Sequence, residues 1–406
     1  MSRCTDSVRD AIHRTVSKNR VAELAGRLIR ERSDLSGDME YGAGQLLMRI
    51  AAEMGLEAEE QPVEGRRSNI LIRMRGAPGG KTLLYSGHID VVPPGAEELW
   101  DSPPFEPQVR GDRLYGRGAC DMKGSIAAML HALEVLRQCA VPLRGEVLLA
   151  LDVDEETSNK GMRRLLASGV RADACIVGEP TDLEINLGHK GVMGLWLTFS
   201  GRRAHASRPE MGINPIVYAA EMVEKIRAFQ SGTLDKRQSR LLGHSTMTVT
   251  MLQAGRELNS IPDRCDMRVD RRYLPGETAE QILAETQRLI DEVSSVEEGC
   301  RCTLQMTTNC PPGEIEAEHP LVKAMMSAVS PGEPERAALK PFLASCEMAM
   351  LMEGLGIPAL IFGPGSIRQA HITNEYVELD QLARGAEIFA RMAMEYLGTA
   401  QEDRHG

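Results

Sequence analysis

Four short apolar runs along the 406-residue chain each lead into residues that can bind a metal or carry a proton. TLLYSGHID passes through six strand-like residues, Lys81 to Ser86, and reaches His88 and Asp90. EVLLALDVDEE reaches Asp154, Glu155 and Glu156, DACIVGEP reaches Glu179, and PALIFGPG leads towards His371. Unbroken apolar runs of this length suit strands buried on both faces of an α/β sheet. In such sheets ligands bind beyond the carboxyl ends of the strands, which is where all four runs place their polar residues. The pattern therefore predicts an α/β fold, with a mixed, mostly parallel sheet, helices on both faces and one shared site at the strand ends.

The intervening helices are legible from their spacing. After Asp121, MKGSIAAMLHALEVLRQC puts Ile126, Met129, Leu130, Leu133 and Leu136 on one helical face, so Asp121 stands at or just before a helix start. Near the end, ELDQLARGAEIFARMAMEYL has the same periodicity and is expected to cover the other side of the sheet. Between about 189 and 310 the pattern changes to strand VMGLWLTFSG, helix NPIVYAAEMVEKIRAF, strands STMTVTML and CDMRVDRRYL, helix TAEQILAETQRLIDEV and strand CRCTLQM. That βαββαβ order is the ferredoxin-like unit, inserted into the α/β domain. Its strands alternate apolar and polar residues, so one face is expected to meet solvent or a partner. The expected division is 1–188, 189–310 and 311–406, and a single core would in any case stop growing at roughly 250–300 residues. The first few residues and the tail QEDRHG are expected to be loosely held.

Composition narrows the class. Apolar residues make up 42% and charged residues 26%, as in soluble globular proteins, and no apolar run approaches the ~20 residues needed to cross a bilayer. The start, MSRCTDSVRDAIHR, lacks the apolar core and cleavage site of a secretory signal, which makes the expected location cytoplasmic. A formal net charge of −11 argues against a nucleic-acid partner, which a basic face would have to neutralise. The nine cysteines are scattered and none stands in C-x-x-C spacing, so they read as reduced fillers rather than a zinc finger or redox centre.

His88, Asp121, Glu155, Glu156, Glu179 and His371 together offer two imidazoles and four carboxylates. Hard oxygen and imidazole ligands without thiolates suit zinc, cobalt or manganese, and two such ions can share a carboxylate when ~3.5–4 Å apart. Asp90, two residues beyond His88, is placed to accept the second ring N–H of that histidine. Glu155 and Glu156 are neighbours that leave the chain in different directions, so one can bind metal while the other takes a proton from water.

SGHIDVVP, GRGACDMKG, DEETSNKGM, GEPT and GPGSIRQAH, in that order, resemble the successive motifs of the dizinc peptidase and deacylase family. That family includes acetylornithine deacetylases, succinyl-diaminopimelate desuccinylases, aminoacylases and glutamate carboxypeptidases, and the resemblance runs from about residue 60 to 380. It implies that His88 and Glu179 bind one metal, Glu156 and His371 the other, and Asp121 bridges them. Glu155 is then the general base and Asp90 the partner of His88. The two divalent ions are expected to be zinc, with cobalt as the alternative. The resemblance also implies a homodimer formed through the inserted lid domain, with His205 in GRRAHASRP polarising the scissile carbonyl. Arg272 in DRRYLPGE and Asn259 in ELNSIPD match substrate-contacting positions, and an arginine suits that role because its planar fork grips a carboxylate.

Within the family the finer match is to the acetylornithine deacetylases. GPGSIRQAHITNEYV is close to their GPGS-x-x-QAH-x-x-x-EY pattern, and SCE at 345–347 resembles their C-T-E segment, which makes Glu347 a third candidate substrate contact. The expected reaction is removal of an acyl group, acetyl first, from an N-acyl amino acid such as N-acetylornithine, in arginine biosynthesis or a more specialised pathway. Desuccinylase, aminoacylase and carboxypeptidase activities of the same family are the alternatives, as is a binding protein that keeps the fold without catalysis.

Overall fold

The structure is a computed structural model, and it describes residues 3–36, 38–294 and 299–399. The tail expected to be loose, and the first two residues, lie outside the described residues. The chain forms two compact units, one of Met1–Gly188, Ile315–Phe342 and Cys346–Gly406, the other of His189–Glu314 with Leu343–Ser345.

In the first unit the sheet order is Glu57–Glu64, Arg67–Arg75, Arg144–Asp152, Ala77–His88, Ala174–Val177, Ala359–Ile361 and Ile185–His189. The four apolar runs of the sequence are four adjacent strands, and they are mutually parallel. Their register aligns the ends: His88 is level with Asp152, Ser86 with Val177, and Ile361 with Val177. All side chains from Val147 to Asp152 are buried, as expected of a strand covered on both faces. The flanking strands are antiparallel and make the sheet mixed.

Helix Lys123–Gln138 is buried along nearly its whole length. Helix Lys18–Arg30 docks on it, where the Arg20 guanidinium holds Glu134 at 3.0 Å and His131 Nε2 accepts the Ser17 N–H at 2.9 Å. Helix Leu379–Leu397 does not cover the opposite side of the sheet as expected. Alternate residues of a strand share a face. Gly87 faces Met122 and Ile126 at the start of helix Lys123–Gln138, while Tyr85 stacks on Phe389 at 5.2 Å and donates to the Phe389 carbonyl at 2.6 Å. Both helices therefore lie on the Tyr85–Gly87 face. His88 and Asp152 point to the other.

In the second unit an antiparallel sheet runs Thr246–Ala254, Arg264–Tyr273, Gly191–Ser200, Arg301–Cys310, with helices Pro215–Gly232 and Ala279–Ser294 in the strand–helix–strand–strand–helix–strand chain order. Alternation along Gly191–Ser200 sends Met193, Leu195, Leu197 and Phe199 into a core with Tyr218, Met222, Ile226, Ile282 and Ile290 of the helices. The intervening Trp196 and Thr198 stay half-buried on the other face, where Arg268 stacks over the Trp196 ring at 4.6 Å. Among the described residues, no helix is long and apolar enough to cross a membrane.

Candidate metal centre

The parallel strands deliver their polar residues to one place. His88 is the last residue of its strand and is 2% exposed. Its Nε2 lies 3.2 Å from Asp121 Oδ1 and 4.0 Å from Glu179 Oε1. The second oxygen of Asp121, Oδ2, lies 3.5 Å from His371 Nε2, which in turn is 3.1 Å from Glu156. Asp121 thus turns each carboxylate oxygen to a different imidazole. Ligand atoms of His88, Asp121 and Glu156 all fall within 4.8 Å of one another.

Each side chain is placed by local structure. Asp121 precedes helix Lys123–Gln138 in a loop whose N–H groups at Gly118, Cys120 and Asp121 all donate to Glu375. Glu155 and Glu156 sit on the turn after Asp152. There Asp154, in a left-handed backbone conformation (φ 72), accepts from Thr157 Oγ1 at 2.8 Å and from the Arg67 guanidinium at 2.8 Å. The His371 loop is tied to the Glu179 loop, since Ser366 donates to Asp182 at 2.8 Å and the Asp182 N–H to the Gly365 carbonyl at 2.6 Å. His371 itself has a left-handed backbone (φ 64) and a side chain that is 54% exposed.

Asp90 requires a correction. The His88 Nδ1–H donates to the Asp90 carbonyl oxygen at 3.0 Å, whereas the Asp90 carboxylate lies 3.7 Å away. That carboxylate instead accepts the N–H groups of Glu155 at 3.2 Å and Glu156 at 3.0 Å. The turn after Asp152 offers two backbone donors that need an acceptor, and they take the side chain while the carbonyl remains for the ring.

The electrostatics follow from crowding. Burial alone would raise the Asp121 pKa, but the flanking imidazoles of His371 and His88 hold it well below the usual carboxylate range. Burial, reinforced by the charges of Asp121 and Glu156, pushes Glu179 up to about 8. Burial raises Asp90 to about 6. Glu155 is pushed well above the usual range by burial and by Glu179, Glu156 and Asp90. His371, hydrogen-bonded to Asp121 and Glu156, rises to about 10. So many carboxyls held together call for positive charge, and an all-oxygen-and-imidazole donor set fits a borderline or hard divalent cation.

Glu347 belongs to the first unit, is 3% exposed, and faces the equally buried Asp152. Burial pushes Asp152 up to about 7, and burial with the charges of Asp152 and Glu155 pushes Glu347 well up. His205 and Asn259 are brought together in the second unit: His205 pairs with Ser260, and the Ala206 N–H donates to the Asn259 carbonyl at 2.8 Å. The Ser207 N–H donates to His205 Nδ1, which leaves Nε2 to carry the proton of the neutral ring. Arg272 grips Asp270 through Nε at 2.8 Å and Nη2 at 3.2 Å, while Glu277 is taken by Arg271 and Arg237.

Sequence reasoning missed Glu375, Arg117, Asp152 and Arg67. Arg117 and Glu375 form a buried pair at 2.6 Å, 2% and 0% exposed. Two signals were available: the E of the EY pair in GPGSIRQAHITNEYV, and an arginine inside an otherwise small-residue loop, GRGACD, which needs an acid once the loop is buried.

Known proteins resemble this chain over most of its length. Residues 84–395 match the model of peptidase family M20/M25/M40. An acetylornithine deacetylase of Edwardsiella ictaluri is 30% identical over 339 residues, which are 82% of this chain and 85% of that one. Among solved structures, an aminopeptidase of Bacillus cereus superposes with a TM-score of 0.77 at 19% identity, over 94% of this chain and 99% of that one. A peptidase of Bacillus subtilis described as dinuclear metal binding gives 0.70 at 19% identity, over 96% and 99%. A family match spanning more than three hundred residues takes in His88, Asp121, Glu156, Glu179 and His371, and the chain belongs to peptidase family M20/M25/M40, metallohydrolases that act on amide bonds.

Proposed function

We propose that this protein removes the acyl group, acetyl first, from an N-acyl amino acid, with N-acetylornithine as the leading substrate and arginine biosynthesis as its setting. The observation that carries the reading is Asp121, whose two oxygens lie 3.2 Å from His88 and 3.5 Å from His371. A carboxylate shared in this way suits a pair of divalent cations, zinc first and cobalt as the alternative, with His88 and Glu179 on one and Glu156 and His371 on the other. Such ions supply Lewis acidity towards the carbonyl oxygen and make a water easier to deprotonate.

The chain's own residues do the rest. Glu155, held beside Glu156 on the turn whose N–H groups Asp90 accepts, draws the proton from a water whose oxygen adds to the acyl carbonyl. It then delivers that proton to the departing amine as the carbon–nitrogen bond breaks. Asp90 fixes Glu155 and Glu156 through their N–H groups. His205, with its proton on Nε2, is suited to donate to the developing oxyanion. Arg272 and Asn259 are assigned to the substrate carboxylate and Glu347 to the substrate end near Asp152. A homodimer through the second unit belongs to the same reading.

The test is a panel of N-acetyl, N-succinyl and N-formyl amino acids and dipeptides, offered to protein loaded with zinc or cobalt. Fastest release of acetate, with N-acetylornithine among the best substrates, is expected. Preference for a succinyl derivative or a dipeptide would overturn the substrate, and failure on every amide would overturn the reaction.

A further inference from the structure

Glu375 lies four residues beyond His371 and is fully buried. Its Oε1 accepts the N–H groups of Cys120 at 2.8 Å and Asp121 at 3.0 Å. Its Oε2 accepts the Gly118 N–H at 3.0 Å and the Arg117 guanidinium at 2.6 Å. Four donors fill the lone-pair sites of one carboxylate, so none is left over for a cation. The Glu375 backbone joins the same arrangement, because its carbonyl accepts the Gly116 N–H at 3.0 Å and the next residues, Tyr376–Glu378, pair with Arg113–Tyr115.

We propose that Glu375 is the positioning residue of Asp121: by gathering three N–H groups of the 118–121 loop it sets the tilt at which the Asp121 carboxylate faces His88 and His371 together. The inference rests on the two-cation reading above and adds a residue to it. Arg117 is not sufficient for this task. It supplies one of the four contacts and neutralises the buried charge, whereas the three backbone donors are what tie Glu375 to the residue that must be aimed. Because His371 and Glu375 share one loop, the anchor of the central carboxylate and one of the two imidazoles move as a unit. A loop freed from Glu375 would still offer Asp121 to one imidazole, but not to both.

The experiment is stepwise titration of cation-free protein with Co²⁺, followed by visible absorption and calorimetry. The variants are Glu375→Gln, Arg117→Lys and the charge-balanced double Glu375→Gln/Arg117→Gln, with the melting temperature of each cation-free protein recorded beside them. The expected result is two ions per wild-type chain and per Arg117→Lys chain. Both Glu375 variants should bind the first ion within about threefold of wild type and the second at least tenfold more weakly. Should Glu375→Gln not fold, the double variant, which strands no buried charge, decides the matter. Two ions bound with wild-type affinities by a folded Glu375 variant would overturn the positioning role alone. Fewer than two ions on the wild-type chain would overturn the two-cation reading and this inference with it.

Discussion

Replacing Arg67 with methionine removes the cation that clamps the Glu155–Glu156 turn from behind. Its guanidinium donates to Glu40 through Nε at 2.7 Å and Nη2 at 2.6 Å, and to Asp154 through Nη2 at 2.8 Å. Both acceptors are buried, Glu40 at 3% exposed and Asp154 at 4%. Removing one partner of a buried ion pair costs about 3–5 kcal/mol, because the other charge is left uncompensated. Asp154 keeps Thr157, Ser158 and the Lys160 N–H as donors, which softens the loss, so the lower end, about 3 kcal/mol, is expected. The pH dependence has a definite sign. Burial raises the Asp154 pKa, but Ser158, Arg67 and Thr157 together hold it at about 2. A carboxyl depressed in the folded state contributes stability that is present above its ordinary value of about 3.9 and lost as pH falls towards the folded value. The gap between wild type and variant should therefore be flat from pH 7 to about 4.5 and narrow between about 4 and 2. The assay is urea unfolding of the cation-free protein in a Trp196→Phe background, so that Trp100, the other of the two tryptophans, reports on the first unit. A loss below about 1 kcal/mol at pH 7, or a gap that widens on acidification, would refute the reasoning.

Three further outcomes are expected. Glu155→Gln should keep the ion content of wild type and lose at least about 10²–10⁴ of its turnover, read by amine release beside metal analysis; a normal rate would remove Glu155 from the proton transfers. His205→Ala should lower kcat by about 10²-fold at unchanged ion content, and mixing it with Glu155→Gln should recover activity if the histidine serves a neighbouring subunit's site. Gly124→Ala would place a methyl 2.2 Å from the Ala119 carbonyl, in the loop that aims Asp121, and should cost about 1–3 kcal/mol in thermal unfolding together with weakened cation uptake.

The strands were legible because burial on both faces demands unbroken apolar runs, and the candidate ligands were legible because parallel strands end together. His88, Glu156 and Glu179 announce themselves by standing at the close of such runs. Helix Leu379–Leu397 shows the limit of that logic: its 3.6-residue period reveals an apolar stripe but not which face of the sheet receives it. That choice is made by Tyr85 and Phe389, three hundred residues apart. Asp90 shows another. Its spacing from His88 pointed to a contact with the ring, yet a residue carries both a carbonyl and a carboxylate, and only the turn beyond Asp152 decided which would meet it. Glu375 stood in the quoted GPGSIRQAHITNEYV segment, but its role was hidden because its partners are mostly backbone N–H groups, which every residue but proline has and which leave no mark in a sequence.

The two imidazoles are held very differently. His88 closes a buried strand that is hydrogen-bonded on both sides, whereas His371 sits half in solvent on a loop. To let go of an ion, the first would have to open the middle of the sheet, while the second needs only a loop to swing. If one ion sits on each imidazole, as proposed, the inner berth should be slow to exchange and the outer berth quick. A brief treatment with chelator should strip the centre by halves, and the surrounding supply of divalent metal, more than any preference of the protein, should govern which element fills the outer place.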